Sequence, residues 1–353
     1  MNEKQSALLN SVAAFPSIED HRVRCDNRSD RPPLLRAEPR LSSVPVLVAL
    51  EQVRRLRGGS QAQVLRCDDE SHYVVKFQNN PQGVRILASE LLAARIARFV
   101  GLPVPQPAIV FVDEQLIEQT EDLVIQLRQV HTKCKAGLQF GSRYSGSPVQ
   151  GVVWDFLPDD QFCRIGNIEA FLGMLAFDKW TSNTDGRQTV FVQSLPNRPF
   201  QVLMIDNGWC FSGAFWTFLD APLRGLYARS RVYENVYGID SFEPWLTRIE
   251  LMDEDILRVI ASEIPSEWLD ADAEGFDRMV DRLWRRRNSV RGLIASAVSA
   301  SPGLFPNWRH PFSRVTAPGP RCREQGFAVR GGAAVAPNRP VRRWRNRAEL
   351  AGR

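Results

Sequence analysis

Hydrophobic and polar positions change rhythm along this chain, and the changes predict its elements. From Val53 to Phe77 short alternating runs (VRRLR, QAQVLR, HYVVKF) are broken by GGS and CDDES. A two-residue period interrupted by turn residues predicts an antiparallel meander of strands. The stretch VRILASELLAARIARFVG, Val84 to Gly101, then spaces its apolar residues at three and four and stops on glycine, the pattern of an amphipathic helix. LPVPQP breaks it, and AIVFVD resumes a strand. After Leu123 the reading becomes mostly helical, through NIEAFLGMLAFDKWTSN, SFEPWLTRIELM, MDEDILRVIASEI and AEGFDRMVDRLWRRRNSVRGLIASAVS. These elements predict an α+β class with two lobes, a small antiparallel β-rich lobe over residues 47–122 and a larger, mainly helical lobe over residues 123–316.

The flanks are different in kind. Residues 1–46 mix prolines, charges and polar residues without a sustained period, which predicts a poorly ordered extension with a short helix over Ser6 to Ala14. Residues 317–353 are rich in proline, glycine and arginine and are expected to form a disordered basic tail. Charge follows the same division. The tail holds nine arginines and two glutamates, a local +7, so a chain of net +5 leaves −2 for its other 316 residues. A near-neutral body argues against a body-wide nucleic-acid surface and leaves only the tail for such contact, unless the tail is simply a solvated appendage.

Other bulk features narrow the field. No apolar run approaches the roughly 20 residues of a membrane helix and no leader-like segment stands out, so a cytoplasmic location is the expectation. Six scattered cysteines without a CxxC pair, and four dispersed histidines, argue against zinc and for a reduced compartment. Two further clusters have a bland and a sharp reading. WCFSGAFWTF, Trp209 to Phe218, is expected to be core packing rather than a recognition surface, and RLWRRRNSVR, Arg282 to Arg291, a solvated helix face rather than an acidic-substrate dock.

Candidate chemistry emerges when residues are placed on these elements. Phosphoryl transfer needs amides over phosphates, a cation on them, a carboxylate for Mg²⁺ and an acid or base at the nucleophile. Gly58, Gly59, Ser60 and Gln61 form the first turn, where two glycines expose amides and Ser60 adds a hydroxyl, although GGS alone is also ordinary hairpin punctuation. Lys76 ends the third strand, and a helix packed on that sheet would aim Glu90 at it. Further on, TVFVQ, SLPNR and PFQVLMID predict a hairpin, and a hairpin returns its exit to its entrance. Asp185 before it and Asp206 after it are therefore expected close together, able to share one Mg²⁺ and one γ-phosphate. Asp178 lies about two helical turns before Asp185, roughly 10 Å along the axis, and is expected to brace the loop. The Asp178-to-Asn183 spacing is then a decoy for a catalytic pair. Asp206-Asn207-Gly208 closes an apolar strand, where the glycine permits a turn that aims the carboxylate, or where an Asx turn simply ends the strand.

Taken together, GGSQAQV, YVVKF, the helix with Glu90, FGS (Phe140 to Ser142), FDKWTSNTDGRQTVF and VLMIDNGWCF resemble the HipA-like kinases of the protein-kinase-like superfamily. The resemblance extends over roughly Leu47 to Ser299. It implies a bacterial serine/threonine kinase, in some members a toxin paired with an antitoxin-like protein partner. It also implies ATP phosphates under Gly58 to Gln61 and Lys76, Asp185 as catalytic acid/base and Asp206 as Mg²⁺ ligand. Two positions depart from the family pattern. Val190 stands where a metal-binding asparagine is usual, so that either Asn183 or Asn207 substitutes or only one metal binds well, and Arg187 stands where histidine is common. The departures keep a nucleotide-binding pseudokinase in view beside a protein kinase and a small-molecule kinase of the same fold.

Overall fold

The computed structural model describes residues 42–127, 129–146, 153–195 and 198–309. The expected helix over Ser6 to Ala14 and the basic tail lie outside them. Strand and helix are both present, as an α+β class requires. The meander is there, but it starts earlier than the alternation suggests: β1 runs Val46–Arg55, β2 Gln63–Cys67 and β3 His72–Lys76. Helix α1, Arg85–Phe99, follows, then β4, Pro107–Val112, and the short α2, Glu114–Gln119, whose N-terminus is capped by Asp113.

Strands continue well past Leu123, which corrects the expected switch to helix there. β5, Val124–Leu127, pairs with β6, Val130–Lys133, and β7, Gly137–Arg143, lies between β3 and β4. β6 is exposed along its whole length and β5 has one buried residue, so neither carries the alternating burial that a strand reading depends on. The sheet β1-β2-β3-β7-β4 closes into a barrel. Closure falls to β1, whose first residues pair in parallel with β4 while the rest pairs antiparallel with β2, across register shifts at Ala49/Glu51 and Gln52/Arg54. Bulges of this kind bend and twist a strand enough to serve two neighbours. Leu65, Tyr73, Val75, Phe77 and Val110 fill the barrel.

Beyond the barrel, β8 (Val153–Trp154) joins the expected hairpin as its third strand. The hairpin itself is β9, Gln188–Val192, and β10, Gln201–Ile205, each within about a residue of the alternation limits. Helix α3, Ala170–Thr181, enters between β8 and β9 with every residue buried. A helix apolar on all sides belongs at the centre of a core, and α3 sits in the larger cluster with α1 and the C-terminal helices. Those helices are α4 (Trp245–Glu250), α5 (Glu254–Ser262), α6 (Ala273–Arg286) and α7 (Val290–Ala300). The long apolar period over residues 273–299 is thus two helices, broken at Arg287–Ser289, where Asn288 and Ser289 are weak helix formers.

In the arginine run at that break Arg282 and Arg285 are exposed as expected, but Arg286, Arg287 and Arg291 are structural. Arg286 donates to the Trp180 and Lys179 carbonyls at the end of α3, Arg287 stacks on Trp284, and Arg291 pairs with Glu243 and Glu250. In the aromatic cluster Phe211 and Trp216 are buried as expected, whereas Phe215 is 76% exposed. Among the described residues no helix is long and apolar enough to cross a membrane.

The barrel is tied to the helical part at one turn. Trp268, fully buried, donates its indole N–H to the Leu138 carbonyl of β7 at 2.9 Å, and Gln78 bridges from the same carbonyl to Glu267 at 3.0 and 2.6 Å. Trp268→Phe, which keeps most of the apolar volume but deletes the donor, is expected to cost about 1 kcal/mol, and Trp268→Ala about 3–5 kcal/mol. Urea unfolding of the two variants checks the order.

Candidate active site

Three of the expected residues meet in one buried cluster. Lys76 closes β3, Glu90 faces it from the second turn of α1, and Asp206 follows β10. The Lys76 ammonium bonds the Glu90 carboxylate and, at 2.7 Å, Asp206 Oδ1. Lys76 and Glu90 are almost wholly buried, while the Asp206 side chain keeps 26% of its surface. Burial alone would lower the Lys76 pKa, but the two carboxylates outweigh it and hold the ammonium above its ordinary value. Burial works to raise Asp206 as well, and there Lys76 prevails and keeps the carboxyl below its ordinary value. Glu90, the most enclosed of the three, is pushed up by burial despite Lys76. One cation against two carboxylates leaves the cluster an excess negative charge when both are ionised, opening toward solvent at Asp206.

Backbone geometry after β10 serves this cluster. Asp206 itself has φ +55°, a left-handed conformation that costs an ordinary residue about a kcal/mol or more and persists only where neighbours enforce it. The enforcing contact is the Asn207 amide, which donates to the second Glu90 oxygen at 3.0 Å. Gly208 then passes so close to α1 that a Cβ there would sit 2.8 Å from Ile86 Cγ2 and 3.0 Å from Glu90 Oε1. The glycine is required by this approach of helix and strand end.

The two aspartates of FDKWTSNTDGRQTVF are placed very differently. Asp178, near the end of α3, has a fully enclosed side chain. Its carboxylate is gripped by the Arg187 guanidinium (Nε at 2.8 Å, with Nη2 on the other oxygen) and by Asn183 Nδ2 at 3.0 Å. It braces the loop, as its position suggested. Asp185 is exposed, and its carboxylate accepts only local bonds, from the Gly186 amide at 2.8 Å and Gln188 Nε2 at 3.3 Å. β9 and β10 pair Gln188 with Ile205, so the loop with Asp185 and the turn with Asp206 leave the same end of the hairpin. No hydrogen bond joins the two aspartates.

Asn183, the expected metal ligand, is engaged within the turn: its amide nitrogen donates to Asp178 and its oxygen accepts from the Asp185 amide at 3.1 Å. Asn207 is likewise committed, its oxygen accepting from Arg187 Nη1 at 3.0 Å. Val190, half-buried within β9 opposite Leu203, offers no donor.

The glycine turn occupies the Lys76 end of the sheet, because Gln63, just after the turn, pairs with Val75. Gly58 has φ +137° and Gln61 φ +51°, and the Gln61 amide closes the turn on the Gly58 carbonyl at 3.2 Å. Neither the Gly59 nor the Ser60 amide donates to a described residue. The Gln61 side chain is engaged instead with the Gln126 backbone, at 2.7 and 2.6 Å, so its part is to hold the turn against β5. An open recess of about 640 Å³ adjoins the turn, walled by Arg55, Arg57, Gly58 and Gln61. Sequence reasoning missed the flanking arginines and, although it noted Arg187 as a departure from the family pattern, missed its role as the partner of Asp178.

With this geometry in view, residues 50–216 match the model of the HipA-like kinase family. That stretch is HipA-like. It holds the glycine turn, Lys76, Glu90, both loop aspartates and Asp206, so the family resemblance read from these motifs stands for that stretch. No curated protein matches the chain. Among solved structures, the Golgi casein kinase with Mn/ADP bound is 11% identical with a TM-score of 0.42, covering 73% of this chain and 74% of that one. The Helicobacter pylori proinflammatory kinase CtkA is 13% identical with a TM-score of 0.43, covering 73% of this chain and 99% of that one.

The enclosed Asp178–Arg187 pair carries a sharp structural prediction. Arg187→Leu strands the Asp178 carboxylate without its cation and is expected to cost about 3–5 kcal/mol, whereas the double variant Arg187→Leu, Asp178→Leu costs less than the sum of the single changes. A double-mutant cycle by urea denaturation measures the difference. Gly208→Ala is expected to push α1 away from Asp206 and lower stability by about 1–3 kcal/mol, read from the same unfolding curves.

Proposed function

We propose that this chain is an ATP-dependent phosphotransferase acting on a serine or threonine hydroxyl of a protein acceptor. The supporting observation is the buried Lys76–Glu90–Asp206 cluster, a phosphate-binding lysine fixed by a helix glutamate beside a strand-end aspartate, within a HipA-like stretch. In this reading the strands through Arg143 and α1 form the nucleotide-binding lobe, and the chain from β8 onward the acceptor lobe.

Roles follow from exposure and bonding. Lys76 binds the α- and β-phosphates, with Glu90 setting its direction. The Gly58, Gly59 and Ser60 amides lie over the phosphates, Gln61 secures their turn, and Arg55 and Arg57 add positive charge nearby. Asp206 is the carboxylate for Mg²⁺, which kinase-type sites hold through one or two carboxylates plus the nucleotide's own phosphate oxygens. When bound, that ion supplies neutralisation of charge developing on the transferred phosphoryl group. Asp185 accepts the acceptor's hydroxyl proton as its oxygen bonds the γ-phosphorus. The bond from that phosphorus to the β–γ bridging oxygen breaks, and ADP leaves. Asp178 has no part in these steps because its carboxylate is enclosed and saturated.

Val190 favours a second reading, a nucleotide-binding pseudokinase, since the position of the usual metal-binding asparagine is filled by an aliphatic side chain in a strand ladder. An antitoxin-like protein partner fits either reading.

Incubation with γ-labelled ATP and Mg²⁺, using the chain itself and a generic protein as acceptors, separates them. Wild type is expected to transfer label, with Asp185→Ala slowed by about 10²–10⁴-fold. Lys76→Met and Asp206→Ala are expected to be at least as impaired. ATP binding without label transfer in wild type would favour the pseudokinase.

A further inference from the structure

After the irregular turn that follows Asp206, the segment Leu219–Gly225 lies against the end of α3 and is held there almost entirely through its backbone. Lys179, in the last turn of α3, donates from Nζ to the Arg224 carbonyl at 2.6 Å, the Pro222 carbonyl at 2.7 Å and the Ala221 carbonyl at 3.5 Å. Ser182 Oγ donates to the Leu219 carbonyl and accepts from the Leu219 amide, both at 3.0 Å. Gly225, at φ +73°, packs so tightly that a Cβ would fall 2.6 Å from Asp178 Cβ. Asp220 pairs with Arg286 of α6.

Lys179 is an unusual residue to find there. It is 5% exposed on a helix that is otherwise a core element, and among the described residues it forms no salt bridge. Asp178 beside it is committed to Arg187 and Asn183, and Asp220 to Arg286. Burial draws its pKa down to about 8, with Asp178 and Asp220 opposing and Arg286 assisting. At neutral pH it therefore remains an ammonium with three hydrogens. Those hydrogens meet three carbonyls from one four-residue stretch. An aliphatic residue would suit this position in the core better, and a buried cation is tolerated only where hydrogen bonds compensate its desolvation. Here every hydrogen bond of the ammonium goes to the segment's backbone, with the Asp178 and Asp220 charges assisting, so the lysine registers chiefly where that backbone lies.

We infer that Lys179 and Ser182 are positioning residues that dock the backbone of Leu219–Gly225 onto the end of α3, fixing it as a platform for the acceptor beside the loop that carries Asp185. The docking stands on the geometry alone; the acceptor role rests on the phosphotransferase reading. Ser182 is three residues from Asp185, so whatever fixes the segment to Ser182 fixes it relative to that aspartate.

Hydrogen exchange of the full chain, followed by mass spectrometry, tests the docking without any need for activity. Lys179→Met and Ser182→Ala are each expected to raise exchange of amides 219–225 by about tenfold or more while barrel and α1 peptides stay unchanged, since a locally held segment opens without the rest of the fold. In the label-transfer assay the same variants are expected to raise the acceptor KM several-fold and leave the ATP KM unchanged, a split that general destabilisation does not produce. Unchanged exchange at 219–225 in Ser182→Ala and in a folded Lys179→Met overturns the docking role. If Lys179→Met does not fold, Ser182→Ala decides alone. Raised exchange with an unmoved acceptor KM overturns the platform role. Absence of label transfer in wild type counts against the phosphotransferase reading and leaves the exchange result to judge the docking.

Discussion

The enclosed ion pair between Asp178 and Arg187 is the constraint on which the site depends. Arg187 is the first residue to leave the loop after α3, and its guanidinium reaches Asp178, the Ile205 carbonyl at 2.9 Å and the Asn207 side chain. Asn207 in turn bonds Glu90 through its amide, Glu90 holds Lys76, and Lys76 holds Asp206. A single chain of buried polar contacts thus joins α3, the β9–β10 hairpin, α1 and β3. A buried pair of this sort is weak evidence of stability, because desolvation offsets most of its Coulomb attraction. What it gives is register. Each buried charge finds its partners on other elements, so a slip of the hairpin or a rotation of α1 would leave a buried charge unpaired.

Register also explains how two nearby aspartates come to have opposite fates. Asp178 and Asp185 are seven residues apart in a segment rich in polar side chains, and composition does not distinguish them. The difference lies in what surrounds each one. A helix whose every residue is buried turns Asp178 inward toward Arg187, and the left-handed Ser182, at φ +52°, ends that helix and turns the chain outward so that Asp185 is exposed. Asn183 then spans the two, one end of its amide on each side of the turn.

Much of this was legible from pattern. Lys76 and Glu90 could be paired because strand alternation and helical spacing each fix a face, and the hairpin limits followed from two clean apolar runs with a turn between them. Other parts were hidden for physical reasons. β5 and β6 form a largely exposed ribbon, so no burial imprints a period on their side chains. The start of β1 carries Val46, Val48 and Leu50 on an exposed side, against the usual polar-out rule. Asn183 has the chemistry of a metal ligand and the spacing of one, and only the tertiary structure reveals that its amide also bridges Asp178 and the Asp185 backbone. The arginines at the α6–α7 break looked like a solvent face because long side chains that cap a distant helix leave no periodic trace.

Charge balance ties the cluster to its proposed ligand. Lys76 faces two carboxylates, so in the absence of ligand the ammonium is fully occupied and the cluster is negative overall when both are ionised. A polyphosphate adds more negative charge to that site, and one lysine cannot neutralise all of it. In the phosphotransferase reading, Arg55 and Arg57, which line the recess at the glycine turn, would supply part of the deficit. The Asp206 side is different: it is the open end of the cluster, and no cation other than Lys76 bonds Asp206 among the described residues. In the phosphotransferase reading, a divalent ion held by Asp206 would offset that negative charge at the open end of the cluster. On that reading the demand for an ion would come from Asp206 and the nucleotide's own phosphates, and would persist with valine at position 190.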